Sequence, residues 1–118
     1  MKKYVDGFVL PIPKKNIDAY VKLAKKCSKI WLDHGALEYV ECAADDVTKG
    51  KWTSFPRSVK LKPSETVFFS WIVYRSRAHR DQVMKKVMQD PRMQAEMKNM
   101  PFDGKRMIYG GFKSMVAV

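Results

Sequence analysis

Three side chains in this sequence have the chemistry to move a proton under mild conditions: His79, Asp6 and Glu41. His79 follows the apolar run TVFFSWIVY (66–74) and belongs to the basic stretch RSRAHRD, so it stands where a strand gives way to a helix and can reach a cleft. Histidine alone titrates near neutrality unaided. Arg77 and Arg80 beside it would hold its pKa down and draw anions; the plainer alternative is a solvated helix histidine in a basic turn. Asp6 and Glu41 lie inside strand-like runs, as does Glu38, and carboxylates there are seldom buried without partners. Either they pair with Arg75, Arg106 or Lys105 from neighbouring strands, or one is a general base whose pKa is lifted by burial. Trp71, Tyr39, Tyr74 and Tyr109 are the candidates to wall an apolar pocket around such a base, with Trp71 equally readable as plain core. His34, just ahead of Gly35, reads as a cation at a helix C-terminus.

Other chemistries leave no trace. There is no phosphate-binding loop, HExxH pair, nucleophile elbow or zinc ligand set, so neither a metal nor a cofactor is expected. Cys27 and Cys42 lack CxxC spacing and read as small buried hydrophobes in a reducing cytosol. No apolar run approaches the roughly 20 residues of a membrane helix. The start, MKKYVDGFVLPIPKK, places Asp6 inside its apolar part and has no small-residue cleavage site, so a soluble, cytoplasmic protein is expected. The excess of 23 Lys+Arg over 12 Asp+Glu, net +11, invites a polyanion partner. The basic residues are scattered along the whole chain, however, and no zinc finger or RNA-recognition signature accompanies them. They read as a solvated cationic surface able to attract small anions, with nucleic acid not expected as a partner.

The elements that must carry these residues follow from periodicity. YVDGFVLPI (4–12) is β-rich and predicts a strand ending against Pro11 and Pro13. From Asn16 the period lengthens: Ile17, Tyr20, Val21, Ala24, Cys27, Ser28 and Trp31 form one stripe with Lys22, Lys25, Lys26 and Lys29 opposite, an amphipathic helix stopped by Gly35. ALEYVECAADD (36–46) alternates, with Leu37, Tyr39 and Glu41 on one face and Ala36, Glu38, Val40 and Cys42 on the other. Residues 47–64 are long for a structureless loop and predict an arm, a lid or a short helix near Pro56. A strand over 65–75, a helix capped by Ser76 and ending near Asp90-Pro91, a short helical piece over 92–99, a turn at Phe102-Asp103-Gly104 and a last strand over 105–116 complete the chain. In that strand Gly110-Gly111 marks a bulge or close backbone packing. With no repeat and no linker, residues 1–118 read as one domain. The order β-α-β-β-α-β is that of the α+β ferredoxin-like fold, a four-stranded antiparallel sheet with both helices on one side.

That arrangement leaves a deficit. Along 66–74, Val67, Phe69, Trp71 and Val73 point one way while Phe68, Ser70, Ile72 and Tyr74 point the other, so both faces are mainly apolar. The first and last strands behave similarly. A sheet with one wet face should alternate apolar with polar, and two helices cover one face only. The economical cover is a second copy, giving a homodimer whose sheets pack face to face, with the partner sheltering Phe68, Ile72 and Tyr74. The arm 47–64 folded over the bare face of a monomer is the alternative.

The segments YVDGFVLPIPKKNIDAY, HGALEYVECAADDV, ETVFFSWIVYRSRAHRD and MPFDGKRMIYGGF resemble the YbaA-like family of small bacterial proteins, over nearly the whole chain from Tyr4 to Phe112. The resemblance implies a ferredoxin-like protomer of the dimeric α+β barrel superfamily. It implies no particular reaction, because that superfamily includes cofactor-free monooxygenases, haem-degrading enzymes, isomerases and members without demonstrated chemistry. In its haem-degrading branch an Asn on the first strand, a Trp on the third and a His opening the second helix form the site; this chain has Asp6, Trp71 and His79 in loosely similar places, with Asp departing from Asn. The expected function is the binding of a small anionic or aromatic molecule in a pocket between sheet and helices. The alternative is a cofactor-independent monooxygenase or isomerase, and polyanion binding is a third reading.

Overall fold

The computed structural model describes residues 2–118. Strands β1 (Tyr4–Pro13), β2 (Glu38–Ala43), β3 (Glu65–Tyr74) and β4 (Ile108–Lys113) alternate with helices α1 (Ile17–Asp33), α2 (Phe55–Ser58), α3 (Arg77–Gln89) and α4 (Pro91–Glu96). The strands form one antiparallel sheet in the order β2-β3-β1-β4, the ferredoxin-like order, with α2 and α4 as short additions. As expected, β1 ends at Pro13, after running through Pro11. Both prolines fall beyond Val9↔Ile108, where β4 stops pairing, so β1 is an edge there and a missing N–H costs little. Among the described residues no helix is long and apolar enough to cross a membrane.

Helix α1 buries Tyr20, Leu23, Ala24, Cys27, Ile30 and Trp31. Its stripe is turned slightly from the expected one, with Leu23 and Ile30 inside and Val21 exposed. Gly35 ends it at φ +111°, a conformation that favours glycine, as the Gly35 and Ala36 amides donate to the Leu32 and Trp31 carbonyls in a Schellman motif. Ser76 caps α3 by accepting from the His79 amide at 3.1 Å, and Val83 and Val87, one turn apart, are the residues α3 buries.

The molecule measures 37 × 36 × 21 Å, a slab of two layers. Even-numbered residues of β1 and β3 face the helices: Leu10, Ile12, Phe68, Ile72 and Tyr74 sit in the core with the α1 stripe. This corrects one expectation. Phe68, Ile72 and Tyr74 are sheltered by the chain's own helices, and the face left over is the odd one, carrying Val5, Val9, Phe69, Trp71, Ile108 and Phe112 with Val40 and Cys42. Cys27 is buried, whereas Cys42 is exposed because it lies on that outer face.

The arm 47–64 is ordered by local bonds. Ser54 caps α2, and the Arg57 guanidinium donates to the Lys49 and Gly50 carbonyls. The arm lays the Phe55 ring against Phe69, with centroids 5.6 Å apart, over one end of the outer face. It leaves Trp52 92% exposed. Gly110 and Gly111 pair in register with Gly7 and Asp6, so there is no bulge; a Cβ at Gly111 would run into the Tyr4 ring, which makes close packing the reason for glycine.

Candidate functional site

The side chains with chemistry gather in two places on the helix side of the sheet. At one end, Asp6 of β1 is 4% exposed and accepts from Arg80 Nη1 at 2.9 Å. It also accepts from the Tyr74 hydroxyl, which itself accepts from Trp31 Nε1 at 3.0 Å. Burial lifts the Asp6 carboxyl, against the downward pull of Arg80 and Tyr74. His79 lies beside this network. Its Nδ1 accepts from the Arg75 amide at 3.0 Å, its ring also bonds the Gly35 backbone, and it stands edge-on to Tyr74. Burial first, then Arg75 and Lys86, hold its pKa down; Arg77 and Arg80 are not the cause. With its ring nitrogens occupied by backbone, His79 ties the start of α3 to the ends of β3 and α1.

At the other place, between the sheet and α1, lies a cavity of about 140 Å³. It is walled by Phe8 and Leu10 of β1, Ile72 and Ser70 of β3, Tyr39 and Glu41 of β2, and the inner stripe of α1; Met93, Met100, Phe102 and Met107 complete the lining, which is open on one side. A cavity of about 150 Å³ in another protein takes a benzene molecule. The lining is mainly aromatic and aliphatic; Glu41 is its one charged residue, with the Ser70 hydroxyl beside it.

Strand alternation aims Glu41 inward opposite Ser70, and α1 brings Tyr20 over it. The Tyr20 hydroxyl reaches Oε1 and Oε2 at 2.9 and 3.0 Å, and the Tyr39 hydroxyl donates to Oε2 at 3.0 Å. Among the described residues the partners of this carboxylate are hydroxyls, including Ser70, and not cations. Burial therefore lifts Glu41 above its ordinary 4.5, and the three hydroxyls only partly offset it. Burial beside Glu41 likewise raises the Tyr20 and Tyr39 hydroxyls, and burial pushes the Cys27 thiol to about 11, leaving it a poor nucleophile. Among the described residues no group of His, Cys, Asp and Glu could hold a metal ion.

A pH dependence follows. A carboxyl with a raised folded pKa keeps its proton where the unfolded chain has lost it, so its contribution to stability falls as pH rises from 4.5 through the folded value. Glu41→Gln removes that slope. In urea unfolding at pH 4, 5.5 and 7 the variant gains on the wild type as pH rises and is the more stable at pH 7. A wild type that gains on the variant over the same range would refute the assignment.

The expected site residues are thus divided. Glu41 and Tyr39 line the cavity; Tyr74 is fully buried in the Asp6 network; Tyr109 is 72% exposed, its ring stacked outside Phe8. Trp71 lies on the opposite sheet face, donating to Glu38 at 3.2 Å, because its odd position turns it away. Asp6, Trp71 and His79 do not converge, so the haem-type arrangement is not formed. The ion pairs differ from those expected: Asp6 takes Arg80, and Arg106 takes Glu65 at 2.8 Å. Tyr20, Ser70, Trp31 and Phe102 were not foreseen at the site. The legible signal was Tyr20, since a buried tyrosine needs a partner for its hydroxyl. His34 bonds Asp90 at 2.8 Å, linking the end of α1 to the start of α4.

The family described as "Protein of unknown function (DUF1428)" matches residues 3–104. The Escherichia coli K12 protein named "Uncharacterized protein YbaA" is 51% identical over 114 residues, 97% of each chain, and a Shigella flexneri protein of the same name matches equally. Among solved structures, a Nitrosomonas europaea protein whose name assigns it to the antibiotic biosynthesis monooxygenases is similar with a TM-score of 0.64 at 8% identity, over 96% of this chain and 90% of its own. A dimeric ferredoxin-like protein from an uncultured marine organism is similar with a TM-score of 0.53 at 12% identity, over 100% and 98%. Likeness at such identities is one of fold.

Proposed function

Since the chain belongs to the DUF1428 family of proteins of unknown function, and its relatives' names bring no reaction, we propose a function from the geometry: it binds a ring-sized, largely apolar molecule in the cavity between sheet and α1, with Glu41 as the polar anchor. The carrying observation is one inward carboxylate, held by Tyr20, Tyr39 and Ser70, in a cavity otherwise walled mainly by apolar groups. Binding sites are typically apolar with a few placed polar groups. The protein works as a homodimer through the odd faces of its sheets, which leaves this pocket within each protomer. An anionic ligand, attractive from net charge, is disfavoured at this site because Glu41 would repel it.

A thermal-shift screen of ring-sized compounds tests the reading. Ligand at ten times its Kd adds about 1.4 kcal/mol, about 4–8 °C in a domain this small. Ala24→Leu, which exchanges a methyl for an isobutyl group on the cavity wall, abolishes the shift while the protein remains folded. Shifts that survive this filling place the binding elsewhere and end the reading.

A second reading, a cofactor-independent isomerase or monooxygenase, is favoured by the same carboxylate, a base with a raised pKa facing an apolar space. Hits recovered from deuterated water separate the two. Deuterium at a carbon acid that vanishes with Glu41→Gln marks proton transfer, and unlabelled ligand marks binding alone.

A further inference from the structure

The charge of Glu41 points to the class of molecule that fits. Its carboxylate offers about four acceptor sites, and the Tyr20, Tyr39 and Ser70 hydroxyls are its partners among the described residues. Among the described residues every donor to it is a neutral hydroxyl, so the hydrogen bonds are met while the negative charge has no counter-ion there. Around it stand the rings of Tyr20, Tyr39, Trp31, Phe8 and Phe102. Aromatic faces are electronegative and attract cations, most strongly where water is excluded. An uncompensated carboxylate within an aromatic wall has the complementarity of a receptor for a small organic cation. Resting on the reading of this cavity as a small-molecule site, we propose that it selects an amine, a protonated ammonium carrying about one ring of apolar body, over neutral and anionic molecules of the same shape.

Each alternative fails at a specific contact. A neutral alcohol can donate one hydrogen bond to Oε1, but it leaves the charge uncompensated. A carboxylate of the same size would place two like charges within a few ångströms in a medium of low polarity, which is strongly unfavourable. The surplus of surface lysines makes no ion pair with Glu41 among the described residues, Lys25 included, although Lys25 lines a groove with it.

The test uses three ligands of one shape, benzylamine, benzyl alcohol and benzoate, titrated calorimetrically into the full-length protein at neutral pH and moderate salt. Benzylamine binds at least about tenfold more tightly than benzyl alcohol, and benzoate does not bind. Glu41→Gln abolishes the advantage of benzylamine over benzyl alcohol; Ala24→Leu removes all binding. Benzyl alcohol binding as well as benzylamine overturns the cation preference and leaves the pocket reading standing. Benzoate binding best overturns the preference and the role of Glu41 as anchor. If none of the three binds the wild type, the pocket reading falls and the inference with it. The ligand ranking on the wild type is decisive even if Glu41→Gln does not fold.

Discussion

Phe112→Asp is expected to convert a species of twice 13.7 kDa into one of 13.7 kDa. The outer sheet face carries Phe112 at 65%, Ile108 at 45% and Phe69 at 43% exposure, with Val5, Val9, Val40 and Trp71 between them. Four strands about 4.8 Å apart and up to about 30 Å long make a footprint of roughly 600 Å². That is large for an exposed apolar patch on a monomer and near the ~800 Å² per partner of a stable interface. The arm reaches one end of it through Phe55. The Phe112 ring lies over Gly7 and Gly110. A buried aspartate there would cost about 2–4 kcal/mol of association, roughly 30- to 900-fold in Kd. Because Phe112 makes little core of its own, the variant should stay folded. Light scattering at micromolar concentration reads the mass, Val21→Asp on the outer side of α1 serves as the control that stays dimeric, and alkylation of Cys42 speeds up on dissociation. A soluble wild type of 13.7 kDa, or a variant still dimeric, would overturn the homodimer.

Arg80→Met should unfold the protein at much lower denaturant. Asp6 and Arg80 keep 6% and 20% of their side-chain surface, and Asp6 is the terminus of the chain Trp31–Tyr74–Asp6. Removing the cation strands a carboxylate in the core. The expected loss is about 3 kcal/mol, the lower end of the ~3–5 kcal/mol for a broken buried pair, because water reaches the exposed part of Arg80. With a urea slope of about 1–3 kcal/mol/M the midpoint falls by about 1–3 M at fixed protein concentration. Asp6→Asn added to Arg80→Met removes the stranded charge, keeps an acceptor for Tyr74 and should restore at least half the loss. A loss below about 1 kcal/mol, or a double variant no better than the single one, would show that the pair is not what holds this end of the sheet.

Much of the fold was legible because its causes are local. The β-α-β-β-α-β order, the Gly35 stop, the Ser76 cap and the strand parities all follow from the nearest few residues, and the family likeness read from four quoted segments is borne out over nearly the whole chain. Parity even separated Tyr39 and Glu41 from Val40 and Cys42. What it left open was which parity the helices would claim. Both faces of β3 are apolar, so composition could not rank Phe68, Ile72 and Tyr74 against Phe69 and Trp71, and the expectation fell on the wrong set. The candidate site suffered more, since its residues come from separate elements. His79 was singled out for its place at a helix start, and the structure uses that place to bond backbone from two other elements.

Periodicity in the chain determines which elements form and which residues share a side, because those depend on dihedral preferences and on spacings of two and of about 3.6 residues. Tertiary packing decides that Glu41 meets Tyr20 across 21 residues of chain and that Asp6 meets Arg80 across 74. It also decides that one carboxylate finds a cation while the partners of the other, among the described residues, are hydroxyls. Pairings at such separation turn on the register of the sheet and the angle of a helix laid over it, and neither is written in the neighbours of any single residue.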